Sequence, residues 1–139
     1  MIDDNIINKV WEKGLIDRKF NPDFVRKDAC GAWIIRDKYN DRDNPYGWEI
    51  DHIYPKSKLV EIGVPEELID NVINLRPLHW KNNVSKGSDY PHYQSKQKAG
   101  VIKDDEGNDI DVNISCEDEK EINEKTKRKI EELFKNFRL

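Results

Sequence analysis

The chain has 139 residues, of which 36% are hydrophobic and 37% charged, with a net charge of −4. That length suits one domain able to bury its own core, and the longest apolar run is far too short for a membrane-spanning helix. The start Met1-Ile-Asp-Asp lacks the basic and then apolar pattern of a secretory leader, so a cytoplasmic protein with no membrane partner is expected.

Residues 3–13 read as a helix that Asp3 or Asp4 can cap, with Ile6, Ile7, Val10 and Trp11 at helical spacing and Gly14 as the stop. Asn21-Pro22 opens a short turn or helix ending near Gly31. Ala32–Ile35 reads as a strand, and 39–47 as a loop rich in Asn, Asp and Pro. Trp48–Ile53 alternates apolar and polar residues, as a half-buried strand does. Pro55 ends it. Between Lys56 and Asp70 the pattern gives a Gly63-Val64-Pro65 turn and one helical turn at 66–69. Val72–Leu75 reads as a second strand stopped by Pro77, and 79–86 as a short helix closed by Gly87. A hairpin is expected over 101–114, around 106–109. Ser115 with Asp118 resembles a capping box for a final helix. Along that helix Ile122, Ile130, Leu133, Phe134 and Phe137 form one stripe, read as packed on the core.

Cys30 and Cys116 stand too far apart for the paired knuckles of a structural zinc site. Both are expected as free thiols. The acidic balance argues against strong non-specific nucleic-acid binding. The acidity is concentrated in residues 104–139, however, while residues 51–103 carry eight Lys and Arg against six Asp and Glu.

Chemistry gathers in that positive segment. Asp51 and His52 stand together at the end of a strand, Asn74 near the second strand, and Asn83 on the short helix. Hard oxygen donors such as Asp and Asn suit Mg²⁺, and a histidine titrates near neutrality, so the set fits metal-assisted phosphodiester hydrolysis. Successive strand residues point to opposite faces, so Asp51 and His52 converge only where the strand bends or ends. His79, four residues before Asn83, shares its helix face. It is either a further ligand or phosphate contact, or structural. Lys96, Lys98 and Lys103, with Tyr90, His92 and Tyr93 nearby, form a candidate nucleic-acid path or an ordinary surface.

The string DHIYPKS, then Asn74-Leu75, then NNVSK resembles the motif of the HNH nucleases, DHIxPxS…NL…NxxK. The nine-residue step from Asn74 to Asn83 matches as well. The resemblance covers roughly residues 48–87 and implies an α+β fold. Its core is a ββα-metal unit of a β-hairpin packed on a short helix. An extension (1–47) precedes the core, and a hairpin with a C-terminal helix (101–139) follows it, all in one nuclease domain. It also implies roles: His52 as general base, Asn74 holding the loop and orienting that base, and Asp51 and Asn83 as ligands of one divalent ion, Mg²⁺ or Mn²⁺ rather than zinc. Lys86 matches the motif's final lysine, a substrate contact or a solvated residue. The expected activity is a DNA endonuclease leaving 5′-phosphate and 3′-hydroxyl ends. A ribonuclease is an alternative. So is a nucleic-acid-binding or assembly component of a phage or defence system, acting with a protein partner. Oligomeric state is left open.

Overall fold

Helix α1 (Asp4–Trp11) begins where the Asp3 carboxylate accepts the Ile6 N–H at 2.9 Å, satisfying one of the free donors of the first turn. The computed structural model describes residues 2–139. Among these the fold is α+β, with three antiparallel strand pairs and five α-helices. None of these helices is long and apolar enough to cross a membrane.

The first correction to the sequence reading follows α1. Of the turn or helix expected from Asn21 to near Gly31, the structure has the turn, at 21–24, and it leads into β1 (Val25–Lys27), which pairs with β2 (Trp33–Ile35) through Val25↔Ile35. The cause is Asp28. Its Oδ1 accepts the N–H groups of Cys30 (2.9 Å) and Ala32 (2.8 Å), folding the chain straight back on itself. A helix running to Gly31 would have used those donors internally.

Strand β3 (Trp48–His52) pairs with β4 (Leu75–His79), with Trp48↔His79 and His52↔Leu75 as the outer pairs. Residues 72–74, expected as strand, form a 3-10 turn, and Pro77 lies within β4 rather than ending it. The two-stranded pairing makes this possible. The His79 N–H points away from β3, to Asp28, and Pro77, two residues earlier, has its nitrogen on that same edge. Its missing N–H therefore costs no ladder bond.

Gly47 precedes β3 at a point of close approach, where a Cβ would stand 1.8 Å from the Asp41 carbonyl oxygen. Between β3 and β4 the chain forms α2 (Lys56–Glu61), not anticipated, and α3 (Glu66–Ile69). Helix α4 (Trp80–Lys86) follows β4 directly and closes at Gly87, with φ +50°.

The last hairpin is much longer than expected: β5 (His92–Lys103) pairs with β6 (Asp109–Glu121). Ser115 and Asp118 are therefore strand residues. The final helix, α5 (Glu124–Leu133), is capped by Asn123, whose side chain accepts the Thr126 N–H at 2.8 Å. The inward positions Tyr93, Ser95 and Gln97 are mostly polar, which hides the strand from a hydrophobicity pattern. Ser95 and Gln97 flank a bulge in the ladder. There the Asn82 carboxamide oxygen accepts both the Lys96 N–H (2.7 Å) and the Gln97 N–H (2.8 Å), docking α4 on β5.

Two cores flank the β3–β4 pair. Val10, Trp11, Ile34, Trp48 and Leu75 form one, in which Trp48 meets Trp11 (5.3 Å between centroids) and Tyr39 (4.8 Å). The other gathers Ile53, Leu59, Ile69, Leu78, Ile122, Ile130 and Phe134, with Leu133 and Phe137 partly buried against it. The C-terminal stripe is thus a core face.

Asp28 joins these parts. It is fully buried, and its Oδ2 accepts the His79 N–H (2.9 Å) and the Asn82 amide (3.0 Å). Asp28→Ala strands four buried donors and is expected to lower stability by about 3 kcal/mol or more in urea denaturation. A loss under about 1 kcal/mol would show that other groups tie these elements together.

Both cysteines are free, Cys30 buried and Cys116 half-buried. Burial, with the Asp28 carboxylate nearby, pushes the Cys30 thiol from 9.0 up to about 12. The folded chain then keeps this proton longer than the unfolded chain. The stabilisation is complete below about pH 9 and is lost as pH rises through about 12. Iodoacetamide at about pH 8 should modify Cys116 and spare Cys30 until the chain is unfolded. Rapid labelling of Cys30 in the native protein would contradict this.

Candidate active site

At the end of the β3–β4 pair, beside α4, lies an open cavity of about 640 Å³. Asp51, His52 and Asn83 all line it, together with Lys56, Ser57 and Ser88. The sequence raised the difficulty that neighbours on a strand face opposite ways. It is met by the strand ending: β3 stops at His52, and Ile53 and Tyr54 turn away toward the loop. Three of the expected site residues therefore share one space.

The fourth, Asn74, stands behind it. Its side chain is fully buried and clamps the loop between the strands. The Oδ1 accepts the Tyr54 N–H at 2.8 Å, and Nδ2 donates to the carbonyls of Tyr54 (3.2 Å) and Ile69 (3.1 Å). Its own carbonyl accepts the Ile53 N–H at 2.8 Å. One carboxamide thus fixes the chain just after His52 against the end of α3.

Asp51 is 3% exposed and carries two cations. Arg76, its cross-strand neighbour, donates from Nε to Oδ2 at 2.8 Å, and the Lys86 ammonium lies 3.1 Å from Oδ1. Lys86 is fully buried and also donates to the His52 carbonyl at 3.2 Å. Burial drives its ammonium below the ordinary lysine value, and Asp51 opposes that shift. The expected substrate contact is therefore held inside the protein, pinning the end of β3.

His79 is likewise fully buried and structural in its bonds. Its Nδ1 accepts the Lys81 N–H (3.1 Å) as the cap of α4, and its Nε2 meets the Pro45 carbonyl at 2.8 Å. Burial holds this imidazole below its ordinary value, consistent with a neutral ring using one nitrogen as acceptor. It does not line the cavity.

Asn83 is oriented by a residue the sequence reading passed over. Its Nδ2 donates to Glu49 Oε1 at 2.9 Å, and Glu49 is gripped by Arg42 at 2.6 and 3.0 Å. Burial alone would raise the Glu49 carboxyl, but the bonds from Arg42 and Asn83 outweigh it and hold the group low. With its amide nitrogen committed, Asn83 has Oδ1 as its free coordinating atom. Glu49 was findable, since it stands two residues before Asp51 and so on the same strand face. Asp70 carried no local signal. Its Oδ1 pairs with His52 Nε2 at 2.7 Å across eighteen positions of sequence.

The donor set toward a cation is one carboxylate and one carboxamide oxygen. Among the described residues no three His, Cys, Asp or Glu side chains converge as a metal group. Two hard oxygens fit a loosely held Mg²⁺ that keeps several waters, and they do not fit zinc. The candidate path along β5 is largely paired to acids on β6: Lys96 with Glu117 (3.0 Å), Lys98 with Asp118 (3.2 Å), and Lys103 with Asp109. His92 lies 3.3 Å from Glu121 across the same ladder, Tyr93 is buried, and Tyr90 packs on Tyr54. Comparison with protein-family models, curated proteins and solved structures found no match for this chain.

Asn74→Ala removes three side-chain hydrogen bonds from a fully buried group. It is expected to cost about 2–4 kcal/mol and to speed amide exchange across residues 53–74. An unchanged exchange profile would show that the loop is held by its apolar contacts alone.

Proposed function

We propose that this chain is an HNH-type, metal-dependent endonuclease acting on nucleic acid, with DNA as the first substrate to test. What supports the reading is the convergence of Asp51, His52 and Asn83 on one cavity, in the order and spacing of the motif. On this reading β3, β4 and α4 are the ββα-metal core.

In the proposed reaction His52 takes a proton from water as that water attacks phosphorus. Asp51 and Asn83 would hold a divalent ion, which when bound offsets charge on the phosphate and stabilises the leaving oxygen. Lys56, exposed at the cavity, would meet a phosphate oxygen of a bound strand. Asn74 and Lys86 act from behind, Lys86 by holding the His52 carbonyl and Asn74 by fixing the backbone just after it.

One observation favours a second reading. Both Asp51 oxygens are already engaged by cations, which weakens the attraction for a third positive charge. That suits a nucleic-acid-binding component with little turnover until a partner completes the site.

Supercoiled plasmid incubated in Mg²⁺, Mn²⁺ or EDTA separates the two readings. The nuclease should nick or linearise it only with metal, and His52→Ala should lose about 10²-fold or more of the rate. Undiminished cleavage by His52→Ala would defeat the assignment. Retarded but uncut DNA with metal present would favour the binding component. A parallel RNA substrate decides between deoxyribonuclease and ribonuclease.

A further inference from the structure

We infer that Asp70 is a positioning residue that fixes the tautomer and orientation of His52, so that Nδ1 is the nitrogen presented to the cavity. The consequence for turnover rests on the nuclease reading; the claim about the ring itself does not.

Three observations carry it. His52 Nε2 and Asp70 Oδ1 are 2.7 Å apart, the length of a charge-assisted hydrogen bond. Asp70 is buried, 7% exposed, and does not line the cavity, whereas His52 does. The pair therefore runs from the ring inward, away from the space where a substrate would sit. A carboxylate only accepts hydrogen bonds, so the shared proton belongs to Nε2. In the neutral ring Nδ1 is then the basic nitrogen.

The surrounding loop builds this arrangement rather than merely permitting it. Asp70 closes α3, its N–H donating to the Glu66 carbonyl at 2.9 Å. Asn74 bonds the carbonyl of Ile69, the residue before Asp70, and both backbone groups of Tyr54, two residues after His52. The same carboxamide thus holds the two chain segments that bring carboxylate and imidazole together. Loop clamp, carboxylate and base form one relay of position. Replacing such an orienting carboxylate by its amide leaves the shape intact but lets the ring receive an N–H, and so take the other tautomer.

The test reads the ring directly. Long-range ¹H–¹⁵N correlation of the imidazoles, with His52 assigned from the His52→Ala spectrum, should show the neutral wild-type ring protonated at Nε2. In Asp70→Asn the population should move toward the Nδ1–H form. Kinetically, Asp70→Asn should lower kcat by about 10²-fold while KM changes by less than about threefold, and Asp70→Glu should recover part of kcat. Thermal melts of each variant separate this from loss of fold. A wild-type His52 ring protonated at Nδ1 overturns the inference. So does an Asp70→Asn protein with the wild-type tautomer and unchanged kcat. Should the wild-type protein cut no nucleic acid at all, the nuclease reading fails, and the spectra of wild type and Asp70→Asn still decide whether Asp70 sets the ring.

Discussion

A single buried carboxylate holds the parts of this protein in register. Asp28 takes two N–H groups from its own turn with one oxygen, and with the other takes the N–H of His79, the last residue of β4, and the Asn82 amide. Asn82 in turn fills the bulge in β5. The β1–β2 turn, the central strand pair, α4 and the long hairpin are thus tied by hydrogen bonds that leave no donor in the set unanswered. Burial pushes the Asp28 carboxyl up while these four donors pull it down. A network of this kind specifies geometry more than it adds stability, because each bond replaces one made to water.

The candidate site inherits its placement from that frame. Asp28 fixes where β4 hands over to α4, and so where Asn83 stands relative to Asp51. The electrostatics there have two layers. Behind the cavity, Arg76 and Lys86 neutralise Asp51; beside it, Arg42 neutralises Glu49 and Glu49 orients Asn83. Asp51, His52 and Asn83 are each held by a partner that does not line the cavity. This preorganises the residues, and it also makes the protein-only site less negative than its carboxylates suggest.

Much of the central segment was legible in sequence. Alternation gave β3, and Gly87 closed α4. The apolar stripe of α5 was readable as core because Ile130 and Phe134 repeat at helical spacing. Convergence of Asp51, His52 and Asn83 was readable only through motif spacing, since strand geometry by itself argued against it. The failures have separate physical causes. Asp28 put a strand pair where a turn or helix was expected to run on to Gly31, and β4 kept Pro77 because its nitrogen lies on an open edge. The β5–β6 pair was half missed because polar residues fill its inward positions. Glu49, Asp70 and the burial of Lys86 are long-range facts that no local pattern encodes. Their partners lie 34, 18 and 34 positions away in the chain.

The loop between β3 and β4 is closed on itself by Asn74, which bonds the chain where it leaves β3 and again where α3 ends. Length added at the exposed bend of residues 61–63 would enlarge an already sealed ring without pulling on the strands. Chain statistics put the entropic cost of doubling such a ring at only about 0.6 kcal/mol. The segment can therefore change in length while Asp51, His52 and Asn83 keep their places. That bend is accordingly the natural place to graft an epitope, a fluorophore or a whole guest module.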